Sequence, residues 1–310
     1  MGRAVWVLAA ALFLAGAANA EVPAGAPAGE PAPHKEPAPH KEGWERWKEV
    51  FGSGRLLATG GVTQVEGAAG GGLVPWAVLA GYGTDEQIGG TAFYTRVQSD
   101  DVLLQAYGAS LSFLQRLELS VARQRVDVDD PVNEEISQFI LGGKVRLFGD
   151  LVYTPWPTVA AGVQYKRNLD YDTPDAVGAK SRDGVDVYLA ASKLFLNGVF
   201  GFPVLLNTTV RATRANELGL LGFGGPGHNT YQPMFEGSAV LLVTRHIAVG
   251  AEYRMKPDNL PGLAEDDWMD AFVAVFVNKH LSLVGGYARL GDVALWNNQD
   301  SYYFNVQAGF

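Results

Sequence analysis

The chain has 310 residues, of which 47% are hydrophobic and 18% are charged, with a formal net charge of −9. This apolar content excludes a disordered chain, and the acidic balance gives no reason to expect a nucleic-acid partner. The absence of cysteine excludes a disulfide framework and thiolate chemistry, and the 38 glycines favour a Gly-rich β protein.

The first twenty residues have the pattern of a secretory signal peptide. Met1-Gly2-Arg3 gives a positive start, residues 4–15 are apolar, and Ala18-Asn19-Ala20 fits the small-x-small cleavage rule. The apolar run is shorter than the ~20 residues that a spanning helix needs. We therefore expect a cleaved signal peptide over residues 1–20 and an exported protein.

Two short segments follow the predicted cleavage site. Residues 21–42 repeat Pro-Ala-Pro-His-Lys-Glu and predict an extended periplasmic tether, because such a composition cannot build a core. Residues 43–54 place Trp44, Trp47 and Phe51 on one helical face. This amphipathic segment could lie at a membrane interface or pack on the following domain, and the sequence leaves both open.

From residue 57 onward the hydrophobicity alternates with a period of two, which predicts β-strands with one apolar and one polar face. Most of the predicted strands are close to the ~9–11 residues of a tilted spanning strand. Fourteen are expected over 55–310, or twelve if the Gly-rich first pair does not span. Their predicted ranges are 57–66, 73–82, 87–98, 101–112, 116–126, 137–148, 157–167, 185–195, 203–213, 233–243, 246–255, 268–277, 280–289 and 301–310.

Short and long gaps alternate between these strands, which is typical of an outer-membrane barrel with short periplasmic turns and long external loops. An even strand number agrees with a chain that enters and ends in the periplasm. The pattern predicts an all-β, transmembrane antiparallel β-barrel in the bacterial outer membrane. Its expected partners are outer-membrane lipid and lipopolysaccharide.

The last predicted strand places its apolar residues at every second position. This pattern resembles the C-terminal signal of bacterial outer-membrane barrels, which implies recognition by the barrel-assembly machinery. The residues that carry the resemblance are Tyr302, Phe304, Val306, Ala308 and Phe310.

Four further segments resemble the domain-of-unknown-function family 3034, which consists of proteobacterial outer-membrane barrel proteins without an assigned activity. The resemblance covers residues 55–310 and implies the same fold and location, but it implies no catalytic residue. The segments are residues 60–72, 118–124, 219–225 and 251–260.

Charged residues on the polar faces of the strands would point into the lumen if the apolar faces meet lipid. Five are basic and three are acidic, so a mildly cationic lumen is expected. They could form a salt-bridged interior or line a pore that favours anions. These candidates are Glu118, Lys144, Arg146, Lys166, Asp186, Arg211, Glu252 and Arg254.

One external loop is unusually apolar, and its residues Leu220, Leu221 and Phe223 could fold inward as a constriction or pack on the rim. We predict a narrow or gated passive channel for small solutes; the alternative is a closed structural or surface-interaction barrel. No cofactor or metal is expected. No enzyme is expected either, because the only external histidine, His228, lies in a Gly-rich loop without a rigid frame.

Overall fold

The computed structural model of the protein describes residues 50–128, 134–263, 265–293 and 296–310. The predicted signal peptide, the tether, and Trp44 and Trp47 of the amphipathic segment lie outside the described residues. In chain order the strands are β1 (Val62–Thr63), β2 (Ala69–Gly70), β3 (Ile88–Gln98), β4 (Val102–Phe113), β5 (Leu117–Val128), β6 (Glu134–Phe148), β7 (Thr158–Asn168), β8 (Asp183–Phe195), β9 (Val204–Thr213), β10 (Gln232–Leu242), β11 (Ile247–Arg254), β12 (Trp268–Asn278), β13 (Leu281–Val293) and β14 (Trp296–Gly309).

Strands β3 to β14 form one closed barrel of twelve antiparallel strands. Each strand pairs with its neighbours in sequence, and β14 pairs with β3 to complete the circle. Closure satisfies the backbone hydrogen bonds of every strand without leaving an edge, which a β structure in lipid requires.

Side chains alternate between the outside and the inside of the barrel, as the period-two pattern predicts. In β11, Ile247 and Val249 are exposed on the outer face, whereas Glu252 and Arg254 are buried inside. Large apolar side chains cover the outer face of the other strands in the same way. Because this apolar surface surrounds a closed barrel, the protein is a transmembrane β-barrel of the bacterial outer membrane.

The larger predicted count of fourteen barrel strands is wrong, and the smaller count of twelve is confirmed. The Gly-rich pair predicted over 57–82 lies inside the barrel, where β1 and β2 pair only with each other. Residues 60–71 are buried on both faces, so the alternation of a spanning strand is missing. Positive φ values of 67° at Gly61 and 97° at Gly67 also turn the chain where a spanning strand would continue. We call residues 50–87 the plug.

The connections at the two ends of the barrel differ in length, as the gap pattern predicts. The longest, residues 169–182, 214–231 and 255–267, share one end, which we call the outer mouth. At the other end, the inner mouth, the chain enters β3 and leaves β14. A short helix α1 (Asp172–Ala176) lies in the first long connection. Within the described segments no helix is long and apolar enough to cross a membrane.

The outward face of β6 offers a test of this placement. Leu141 lies at the middle of β6 and Leu147 lies near its end at the inner mouth, and both are exposed on the outer face. Since a charge on the lipid face is most unfavourable at the bilayer midplane, Leu141→Arg should lower the free energy of unfolding by about 2–4 kcal/mol and Leu147→Arg by about 0–1 kcal/mol. Urea unfolding in lipid vesicles measures the free energy of unfolding of both variants. Equal losses would contradict the placement of Leu141 at the bilayer midplane and of Leu147 near the membrane surface.

Candidate functional site

The plug is held together near the inner mouth by Arg55. Its guanidinium donates hydrogen bonds to three backbone carbonyls of the plug, those of Thr59 at 2.5 Å, Leu79 at 3.1 Å and Gly81 at 3.2 Å. Since a guanidinium offers five donors in a fixed fork, one side chain can join both ends of the plug. The plug therefore has an internal organisation although it contains only four strand residues.

The plug also contacts the last residue of the chain. The carbonyl of Phe310 accepts hydrogen bonds from the N–H groups of Tyr82 at 2.8 Å and Gly90 at 3.2 Å. The Phe310 ring lies 6.0 Å from the ring of Phe51, which also forms a backbone bridge to Ile88. The plug is thus attached to the barrel where β14 meets β3.

The residues of the predicted assembly signal lie on the outer parity of β14. Tyr302, Phe304 and Ala308 are exposed, and Val306 and Phe310 are half-buried. This is the face that meets lipid. Recognition by the assembly machinery stays a prediction.

Glu118 and Lys144 form a buried pair against the plug. They are opposite each other on β5 and β6, with Nζ of Lys144 3.1 Å from Oε1 of Glu118. The Lys144 ammonium also donates to the carbonyls of Ala69 at 2.8 Å and Val78 at 2.9 Å. The Glu118 carboxylate accepts from the N–H groups of Ala69 at 3.1 Å and Ala80 at 2.8 Å. The plug backbone therefore fills the hydrogen-bonding capacity that the ion pair leaves open.

A larger ion network surrounds Glu66 at the tip of the plug. Its carboxylate pairs with Lys166 of β7, with Arg254 of β11 at 2.8 Å and with Arg211 of β9 at 3.5 Å. Asp186 of β8 lies 2.6 Å from the Lys166 ammonium and 3.4 Å from the Arg211 guanidinium. One plug carboxylate thus shares three cations of the wall, all of them buried.

Other wall groups complete this network. Glu236 of β10 pairs with Arg211 at 2.5 Å and lies 3.6 Å from the guanidinium of Arg254. The ring of Tyr188 lies 5.2 Å below the Arg211 guanidinium, in cation–π contact. Arg211 therefore contacts two acidic side chains of the wall, Asp186 and Glu236, and one aromatic ring, that of Tyr188.

Glu252 holds the plug from a third direction. Its carboxylate accepts hydrogen bonds from the Leu73 N–H at 2.7 Å, the Ser238 hydroxyl at 2.7 Å and the Trp76 indole at 3.3 Å. Arg254 donates to the Leu73 carbonyl at 3.0 Å. Both backbone groups of Leu73 are therefore bound by charged side chains of β11.

The structure places seven of the eight sequence candidates in these buried clusters and Arg146 elsewhere. Arg146 is half-buried near the inner mouth, donates to Gln115 at 3.2 Å and lines a recess of about 310 Å³. Glu66 and Glu236 were not among the candidates, and both balance wall cations, so the expected cationic excess is offset within the network. Inward parity in β10 could have identified Glu236, whereas no local pattern marks Glu66.

The apolar external loop folds into the outer mouth. Leu220, Leu221 and Phe223 are all buried. Lys166 donates to the carbonyl of Leu218 at 3.0 Å, and Asn168 donates to that of Leu220 at 2.5 Å. Wall side chains therefore hold the loop by its backbone.

Beside this loop, Lys256 shares two buried carboxylates. Its ammonium lies 2.7 Å from Glu217 and 3.9 Å from Glu265, whose carboxylate also accepts the Glu217 N–H at 2.9 Å. Burial raises the pKa of Glu265 well above its usual range, and the charge of Glu217 adds to the rise. One ammonium cannot balance two buried carboxylates, which favours the protonated form of Glu265.

Three histidines can be placed. His246 and His280 contact backbone carbonyls at inner turns, those of Phe276 at 2.7 Å and Gly309 at 2.9 Å, and His228 is exposed in the outer loop. In the part of the chain that the structure describes, no cluster of three His, Asp or Glu side chains could hold a metal ion.

Glu265 gives a pH-dependent prediction. Between the ordinary carboxyl pKa and the raised pKa, the folded protein keeps a proton that the unfolded chain has lost. The free energy of unfolding therefore falls as the pH rises through this range. Glu265→Gln should remove this dependence, because the amide oxygen can still accept the Glu217 N–H. Thermal unfolding from pH 5 to 9 should show a difference from wild type that grows with pH. The exposed Glu86→Gln is the control, and parallel curves for Glu265→Gln and wild type would refute the assignment.

The chain is similar to several solved outer-membrane barrels. KdgM porin is 12% identical with a TM-score of 0.46, over 71% of this chain and 99% of that one. Omp33 of Acinetobacter baumannii is 10% identical with a TM-score of 0.44, over 71% and 97%. Phospholipase A of Escherichia coli is 10% identical with a TM-score of 0.40, over 70% and 92%. At such identities and TM-scores these likenesses carry no functional information.

No curated protein sequence matches the chain. A family model described as a protein of unknown function, DUF3034, matches residues 59–307. This is the family that the Gly-rich, β5, outer-loop and β11 segments resemble, and the match spans most of the sequence. The protein therefore belongs to the DUF3034 family.

Proposed function

We propose that the protein is a gated passive channel for small solutes and that the plug is its gate. The observation that carries this proposal is the way the plug is held. Charged side chains of the wall bind it through backbone groups and through Glu66. Water can replace each of these contacts, so the plug can leave the wall without exposing an apolar surface on that side.

The polarity of the wall supports a lumen that fills with water. The inward faces of β5 to β9 carry amides and hydroxyls besides the charges. They include Gln124, Gln138, Gln164, Asn168, Asn207 and Thr209. In the closed state some of these groups bind plug carbonyls, as Gln124 does with Val65 at 2.9 Å and Thr209 with Pro75 at 2.8 Å. The same groups can hydrogen-bond to water when the plug moves, so the emptied lumen would be hydrated.

The size of the barrel agrees with a gate. Eight strands leave an interior that side chains just fill, and sixteen to eighteen leave an open aqueous channel. Twelve strands lie between these limits, and here the plug occupies the additional space. Its displacement would open a narrow passage.

The second candidate is a closed structural barrel without transport. The apolar side of the plug favours it, since Val65 and Leu73 pack in one core with Leu104 and Ala288 of the wall. Neither candidate involves catalysis. Movement of the plug distinguishes them.

A disulfide between plug and wall tests the gate. The hydroxyls of Thr63 in β1 and Thr91 in β3 lie 3.2 Å apart, so Thr63→Cys with Thr91→Cys should form a bridge after a small adjustment. The chain contains no other cysteine. In planar bilayers, the oxidised double variant should show no channel openings, and reduction should restore the openings of wild type.

Each single cysteine variant serves as a control for the substitution and for the reductant. Folding is checked by the heat-dependent mobility of the barrel on gels. Openings that persist in the fully oxidised protein would show that ions pass without plug movement. Silence in wild type and in the reduced variant, with folded protein, would favour the closed barrel.

Glu66 gives the complementary prediction. Glu66→Gln leaves three buried cations with one carboxylate fewer, and breaking buried pairs of this kind costs about 3–5 kcal/mol. If that loss falls on the attachment of the plug, the open probability should rise by roughly 100-fold or more. Single-channel recording measures it. Glu86→Gln, an exposed position at the end of the plug, should leave the open probability unchanged.

A further inference from the structure

We propose that the outer mouth contains a binding site for one small apolar ring molecule of about the size of benzene or toluene. The proposal rests on the gated channel, because it names the class of solute that the channel would receive first. It depends on a cavity that is lined by none of the residues of the Glu66 and Glu118 clusters, although Glu217 borders it.

The cavity has a volume of about 110 Å³ and lies between the barrel wall and the inward-folded loop. The described residues that line it expose only apolar atoms to it. Its main lining residues are Leu104, Val128, Ile136, Leu220, Trp268 and Leu290. They come from β4, β5, β6, the loop, β12 and β13.

The size and the chemistry of this cavity together select the ligand. An apolar cavity of about 150 Å³ in a protein stays dry and binds benzene. A cavity of about 110 Å³ that opens toward the outer mouth suits a single ring with small adjustment. A hydroxyl or a charge placed there would lose its hydrogen bonds to water, because the polar atoms of the lining residues Thr173 and Glu217 are not exposed to the cavity.

The site is built by groups that fix its lining. Lys256 lies 4.8 Å from the centre of the Trp268 ring, on one face, and also pairs with Glu217 of the loop. Asn168 holds the loop at Leu220 through its carbonyl. Because the lining is held in place before a ligand arrives, binding does not require the site to be ordered first.

The cavity lies close to the apolar side of the plug. A second, narrower cavity of about 10 Å³ shares Leu104, Trp268 and Leu290 with the first. It continues to Val65 and Leu73, which belong to the plug. An apolar molecule in the outer site therefore lies near the part of the plug that packs on the apolar wall.

Equilibrium dialysis of radiolabelled toluene against the full-length protein in lipid nanodiscs tests the site. Protein-free discs of the same lipid measure partitioning into the bilayer. We expect one saturable toluene per chain above that background. Benzene should compete, and phenol should compete at least tenfold less well because no polar atom of the lining is exposed to its hydroxyl.

Variants separate the site from the lipid. Val126→Phe with Val293→Phe adds bulk to two half-buried lining residues and should weaken saturable binding at least tenfold. Val163→Phe with Val187→Phe adds the same bulk at two exposed, lipid-facing positions and should leave saturable binding unchanged. If the filled variant does not fold, Leu221→Ala enlarges the cavity and should admit naphthalene, which wild type binds poorly.

The result is independent of the gate. Dialysis is repeated with the oxidised Thr63→Cys/Thr91→Cys protein, in which the plug cannot move, and the same stoichiometry is expected. Two results would overturn the site and leave the conductance experiment intact. One is toluene uptake equal to that of protein-free discs; the other is toluene uptake that neither the filling nor the enlarging variant changes. Saturable binding in a barrel that never conducts would refute the channel and retain the site.

Discussion

The structure depends on one constraint: charges inside a closed barrel need partners that the barrel wall alone does not provide. The cations of β7, β9 and β11 converge on the lumen, and the neighbouring acids Asp186 and Glu236 neutralise only part of them. Glu66 supplies the missing carboxylate from a separate segment of the chain. Its position in the lumen determines where the plug lies.

The same constraint explains why the plug needs so little regular structure. A Gly-rich segment has many exposed peptide groups, which are expensive to bury unless each finds a partner. Here the wall side chains Glu118, Lys144 and Glu252 provide partners to the backbone. Close approach also favours glycine: a Cβ on Gly71 would lie 2.0 Å from the Glu252 carboxylate.

The sequence predicted the barrel well because the pattern of a spanning strand is local. Alternation along residues 246–255 identified the lipid face of β11, and the inward parity of Lys144 and Arg211 followed from the same rule. The prediction of spanning strands over 57–82 failed because the small residues of this segment show no alternation. They contact the wall mainly through backbone groups. Glu66 was missed for this reason: its cationic partners are about 100 residues away or more, and no spacing in the chain marks them.

The attachment of the plug beside the seam between β14 and β3 bears on how the protein is assembled. Because the plug directly precedes β3, it enters the lumen beside the seam at which β14 and β3 close the barrel. While that seam is open the segment can be laid sideways against the growing sheet, with no need to thread through a narrow end. The carbonyl of Phe310 accepts hydrogen bonds from Tyr82 of the plug and from Gly90 of β3, so closing this seam also fixes the end of the plug. A barrel with this arrangement can therefore close with the plug already in its lumen.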